Sequence, residues 1–223
     1  MAAAARQEHL AFGSQSLDAQ GRLVRAGSAE AEDDGRSWRG AAPWQRVLRY
    51  WEAVGPPGPH LPAAVRWGGL RPADRWRLGE ALEQAGSERL QGLGVGPDQG
   101  LQSHEILAVR AALARVAVID TPWSAAFVSW LARRAGLGAG EFAFSEAHAD
   151  YAAAARAADR AERDGRPTAY ALRACDLALT PPRVGDLVCQ ARGSRSSLER
   201  FDALAEALDA RSAGPGGAAL PMH

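Results

Sequence analysis

T-P-W-S-A-A-F-V-S-W, residues 121–130, is the stretch on which the reading of this chain turns. Pro122 and Trp123 set a polar Ser124 at the head of an apolar, helix-compatible run. The pattern predicts a helix over residues 124–135, centred on Phe127 and Trp130 and broken by Gly136, Gly138 and Gly140. A serine at this place has two readings. It is an ordinary N-cap, which serine favours, or a nucleophile at a helix end whose amides stabilise developing negative charge. Local sequence alone favours the cap.

Working outward, residues 1–42 are rich in Ala, Gly, Ser and acidic residues without sustained periodicity, and read as a mobile leader. From Pro43 the pattern changes. Trp44, Val47, Leu48 and Trp51 recur at helical spacing behind a proline suited to a first turn, and G-P-P-G-P at residues 55–59 ends that helix. Further helices are expected over 72–85, with Trp76, Leu78 and Leu82 on the apolar side, and from Ser103 through Ile106, Leu107, Val109, Leu113 and Val116. Ser145 opens an alanine-rich helix to about Glu162. Residues 169–179 and 186–190, bounded by Pro181, Pro182 and Gly185, are the best strand candidates, and residues 195–210 return to helical periodicity. Helices first and strands late predict an α+β fold: a helical N-terminal part followed by a core with a small antiparallel sheet.

Bulk composition narrows the function classes. A chain of 223 residues, 47% hydrophobic, can bury one substantial core. Its formal net charge is zero, which argues against a nucleic-acid partner and against a polybasic membrane patch. The start, M-A-A-A-A-R-Q-E-H-L, lacks the apolar core of a signal peptide, and no stretch reaches the ~20 apolar residues of a membrane span. Taken literally, this predicts a cytoplasmic protein, with an envelope location if the natural N-terminus lies further upstream. Cys175 and Cys189 are too few for a disulfide scaffold and read as small buried hydrophobes that pair only if their strands adjoin. No metal motif and no phosphate loop is present, so neither metal nor cofactor is expected.

A serine hydroxyl is a poor nucleophile without a base in hydrogen-bond reach. Of the five histidines, His9, His60 and His104 fall in the leader, a loop and a helix start, which leaves His148 and His223. His148 stands in F-S-E-A-H-A-D-Y; it is either a half-buried ring orienting its helix or, with Asp150 and Tyr151, part of a polar cluster facing a cleft. The two readings stand level. His223 is the last residue and by local sequence is only terminal. Pro181 to Gln190, P-P-R-V-G-D-L-V-C-Q, is a tight turn delivering Asp186 to the start of a strand.

Together P-W-S-A-A-F-V-S-W, F-S-E-A-H-A-D-Y, R-A-C-D-L and P-P-R-V-G-D-L-V-C resemble a bacterial family, domain of unknown function 2272. That family is itself similar to papain-like cell-wall hydrolases of the NlpC and CHAP groups, which carry W-C-A-A-F at the nucleophile helix and P-x-P-G-D-L-V before the next strand. The match spans residues 43–223, read as a single papain-like domain, and is strongest from Pro122 to Arg192. The resemblance implies a nucleophile at Ser124, where the relatives have cysteine, and substrate contacts at Trp123 and Asp186. It implies the base at His223, with His148 second, and an incomplete core, because the strand that follows that histidine is missing. It implies a hydrolase of amide bonds, with peptidoglycan peptide as partner. The exchange of cysteine for serine supports a second reading, a non-catalytic module that keeps the cleft and binds wall peptide or a protein partner.

Overall fold

Pro43 and Gln45 show how local chemistry starts an element: proline takes the first helical position, and Gln45 Oε1 accepts the Ala42 N–H at 2.9 Å. The computed structural model describes residues 1–27, 31, 41–55, 112, 114–115, 118–119, 121–193, 197–212 and 220–222. Among these, α1 (Ala2–Ala11), β1 (Ser16–Leu17), β2 (Leu23–Arg25), α2 (Pro43–Glu52), α3 (Ser124–Arg134), α4 (His148–Arg163) and α5 (Phe201–Ser212) follow in order. Helices with one small antiparallel sheet make the fold α+β. No helix among the described residues is long and apolar enough to cross a membrane.

The chain divides into two units, Met1–Ser14 with Tyr50–His60 and Trp123–His223, and Gln15–Arg49 with Leu61–Pro122. In the second unit β1 pairs with β2, Ser16 opposite Arg25 and Leu17 opposite Leu23. Asp18 builds the connecting turn by accepting the N–H groups of Gln20 and Arg22, each at 2.9 Å. The Arg22 N–H, with its guanidinium, holds the Asp18 carboxyl below its usual range. This is the sheet of the described residues, and it lies in the stretch read as a leader rather than late in the chain.

Residues 169–179 and 186–190 are irregular where strands were expected. A strand needs a neighbour to take its backbone groups, and among the described residues the ladder-like contacts here are the Ala191–Met222 bridge, the adjoining Arg192 N–H to Pro221 carbonyl bond and the Ala171 N–H to Glu141 carbonyl bond. Leu177, Leu179, Val184 and Val188 face out, Val184 at 95% exposure, while Leu172 and Leu187 pack on the core. Apolar composition predicted strands; pairing decides them. Cys175 and Cys189 are both free thiols. Cys175 is exposed, whereas burial pushes the Cys189 thiol above its ordinary pKa.

In the first unit, α4 packs between two clusters. One joins Ala125 and Ala132 of α3 with Phe142 and Tyr151; the other joins Ala149 and Ala153 of α4 with Leu208, Leu220 and Met222. Alanines at 149, 153, 155, 158 and 161 are buried, and their small size lets α4 approach its neighbours closely. Both α3 and α4 end on the same device. Gly136 at φ +86° and Gly165 at φ +70° turn left-handed, as glycine does most cheaply. Leu137 then donates to the Ala132 carbonyl at 3.1 Å, and Arg166 to the Ala161 carbonyl at 2.8 Å. Part of the stretch read as a leader belongs to this unit: Phe12, just beyond α1, stacks on Trp123 with ring centroids 5.5 Å apart. The helix expected over 72–85 and most of that expected from Ser103 lie outside the described residues.

Candidate active site

Ser124 is the first residue of α3, and Trp123 is the N-cap, with no side-chain cap bond. The serine hydroxyl is therefore not engaged as a cap. Its oxygen lies 2.7 Å from Nε2 of His148, the first residue of α4. Two helix N-termini thus bring together residues 24 apart in sequence. The N–H groups of the first turn of α3 have no intrahelical acceptor, because the first i to i−4 bond runs from the Phe127 N–H to the Trp123 carbonyl at 2.9 Å. They point with the positive end of the helix dipole toward the surroundings of Ser124.

The other ring nitrogen of His148, Nδ1, hydrogen-bonds the Tyr151 hydroxyl. His148 and Tyr151 are three apart on α4, and their rings meet nearly edge to face at 5.6 Å. Tyr151 is almost fully buried against Phe142, with ring centroids 5.3 Å apart, and burial pushes its phenol well above the ordinary tyrosine range. Tyr170 closes the same cluster: its hydroxyl donates to the Tyr151 carbonyl at 3.1 Å, and burial raises its pKa as well.

The position of His148 is set from α3. Ser129, fully buried one turn beyond Ser124, donates to the Ser145 carbonyl at 2.9 Å and accepts the Ser145 N–H at 3.0 Å. This reciprocal pair ties the segment before His148 to the helix that carries Ser124. Ser145 Oγ accepts the Ala147 N–H at 3.0 Å and donates to Asp150 at 2.5 Å. Asp150 in turn accepts two N–H groups of Arg211 from α5, at 2.6 and 3.1 Å. The helix expected from Ser145 starts at His148: Ala147 is its N-cap, and the Ser145 hydroxyl takes the Ala147 N–H in the turn that leads into it. Ser129→Ala orphans both backbone groups of Ser145 and is expected to cost ~1–3 kcal/mol. A lower urea midpoint at unchanged m, with faster exchange of the Ser145 amide, is the measurement.

Trp123 adjoins Ser124 in a group of rings: Phe127 edge-on at 6.2 Å, Tyr50 at 5.7 Å and Phe12 stacked. Asp186 sits apart. It closes its own turn by accepting the Arg183 N–H at 2.7 Å, and no contact among the described residues joins it to Ser124. His223, which the resemblance placed first as base, lies outside the described residues. The residues that sequence reasoning left without a role are Ser129 and Arg211; Ser129 stands inside the 121–130 stretch and Arg211 in no motif, and only proximity reveals what they do. Among the described residues no three His, Cys, Asp or Glu side chains converge as metal ligands.

A family model described as an uncharacterized protein conserved in bacteria (DUF2272) matches residues 38–213. The chain belongs to that family. No curated protein and no solved structure matches it.

Proposed function

We propose that this DUF2272 chain is a serine-dependent hydrolase of amide bonds, with peptide segments of peptidoglycan as its substrate class. The observation that carries the reading is the 2.7 Å approach of His148 Nε2 to Ser124 Oγ at the start of α3. In the proposed reaction His148 Nε2 takes the Ser124 proton as Oγ bonds to the carbonyl carbon. The negative charge on the carbonyl oxygen is met by N–H groups of the first turn of α3. The imidazolium returns the proton to the departing amine as the C–N bond breaks, leaving an acyl-serine. Water, deprotonated by the same ring, then releases the acid and restores Ser124. A serine hydroxyl is far less acidic than a thiol, so the pair works by general-base transfer at the moment of attack, unlike the thiolate–imidazolium pair of papain-like enzymes.

The substrate class rests on the resemblance of P-W-S-A-A-F and P-P-R-V-G-D-L-V to the papain-like wall hydrolases, and on the rings around Trp123 beside the nucleophile. The test is release of peptides from purified peptidoglycan by wild type, Ser124→Ala and Ser124→Cys. Release by wild type and the cysteine variant, with loss in the alanine variant, supports the hydrolase. Equal release by wild type and Ser124→Ala removes the nucleophile assignment, and absence of release by all three favours the binding module.

A further inference from the structure

The Ser124–His148 pair has a direction, and Tyr151 sets it. A neutral imidazole carries one N–H and one bare nitrogen, and a hydroxyl has one proton to give and lone pairs to receive. The Tyr151 side chain is 2% exposed, and its hydroxyl has a single hydrogen-bond partner among the described residues, Nδ1 of His148. Phe142, Ala125 and Ala132 fill the cluster around it, and the Cys189 thiol and Tyr170 phenol stand near enough to act on it electrostatically without hydrogen-bonding its hydroxyl.

Two proton arrangements fit this geometry. In the first, Nδ1–H donates to the phenol oxygen, and bare Nε2 accepts the Ser124 hydroxyl; this form is ready to act as base, but it strands the phenolic proton in an apolar surrounding. In the second, the phenol donates to Nδ1, and Nε2–H donates to Ser124 Oγ. Every donor among the three side chains then has an acceptor or faces the open side of Ser124. A stranded buried donor disfavours the first form by roughly 5- to 150-fold. Burial also keeps the phenol in its protonated state, so the proton is always there to be placed.

We propose that Tyr151 holds His148 in the Nε2–H tautomer, so that Ser124 rests as a latent nucleophile and the base-ready ring is a minority form. This deepens the hydrolase reading and, in its consequence for rate, rests on it. Tyr151 acts on Ser124 through His148 and is a positioning residue. For Nε2 to take the serine proton the ring proton must first pass from Nε2 to Nδ1 by exchange with water, and the phenol must turn so that its oxygen accepts the new Nδ1–H. Attack is thereby coupled to rotation of one buried hydroxyl.

The test is imidazole nitrogen spectroscopy on the full chain with ¹⁵N-labelled histidine, at a pH where His148 is neutral, its signals assigned by their loss in His148→Gln. Long-range proton–nitrogen correlations distinguish the tautomers. The expected result is a dominant Nε2–H pattern in wild type and a severalfold larger Nδ1–H fraction in Tyr151→Phe. A dominant Nδ1–H pattern in wild type overturns the proposal even if Tyr151→Phe does not fold, as does an unchanged tautomer ratio in a folded variant. Peptide release is scored separately on the same proteins. The expected tautomers with no hydrolysis by any of them sink the hydrolase reading and leave the tautomer assignment standing.

Discussion

Under the proposed reaction, Ser124→Ala is expected to lower peptide release from peptidoglycan by a factor on the order of 10³–10⁶. The expected loss is this large because one atom carries the reaction: without Oγ no acyl-enzyme forms, and His148 is left beside a methyl group. Residual turnover then depends on binding and on the helix-end amides alone. His148→Gln falls nearly as far, and the double variant falls little further, since nucleophile and base act as a unit. Ser124→Cys keeps a nucleophile at the same place. With a thiol pKa near 8.5 and an imidazole 2.7 Å from the present oxygen, it retains measurable activity. A full-rate Ser124→Ala enzyme is incompatible with this chemistry.

Phe142→Ala has the largest effect expected on stability, a loss of about 3–5 kcal/mol. Phe142 is fully buried in the segment between α3 and α4, and its ring meets three others: Phe144 and Tyr151, each at 5.3 Å, and Tyr170 at 6.2 Å. Its removal leaves a void lined by aromatic faces that rigid rings cannot close. The consequence reaches the site, because Tyr151 packs on that void and bonds His148. Urea unfolding should show a midpoint lowered by more than that of Ser129→Ala, with m unchanged. A midpoint within experimental scatter of wild type shows that the ring is not part of the core.

How much of this was legible in the sequence varies with the physical source of each feature. The span of α3 was readable to one residue, because Pro122, an apolar run and Gly136 are local signals that act on the backbone where they stand. The start of α4 was misplaced by three residues: Ser145 reads as a cap, but its hydroxyl takes the N–H of Ala147 ahead of the helix while Ser129 holds its backbone. The late strands failed because β structure depends on a partner, and apolar composition around Leu177 and Val188 cannot supply one. The hairpin at residues 16–25 went unread because its strands are only two and three residues long and carry no alternation. At the site, Ser124 and His148 were both named, but local sequence allowed Ser124 to be a cap and left His148 level between two readings. Only the meeting of two helix ends shows that the hydroxyl bonds the ring and not the backbone. The bond from Tyr151 to Nδ1 follows from helical spacing, three residues on, yet nothing in the sequence says which nitrogen faces which way.

The most direct measurement of the central claim, that Ser124 is a nucleophile served by His148, is covalent capture. Wild type, Ser124→Ala and His148→Gln are incubated with a fluorophosphonate, and the digested proteins are mapped by mass spectrometry. The account predicts an adduct on the peptide carrying Ser124 in wild type, none at that site in Ser124→Ala, and formation slowed about a hundredfold or more in His148→Gln. An unmodified Ser124 in folded wild type, or an adduct that forms equally fast without His148, contradicts it.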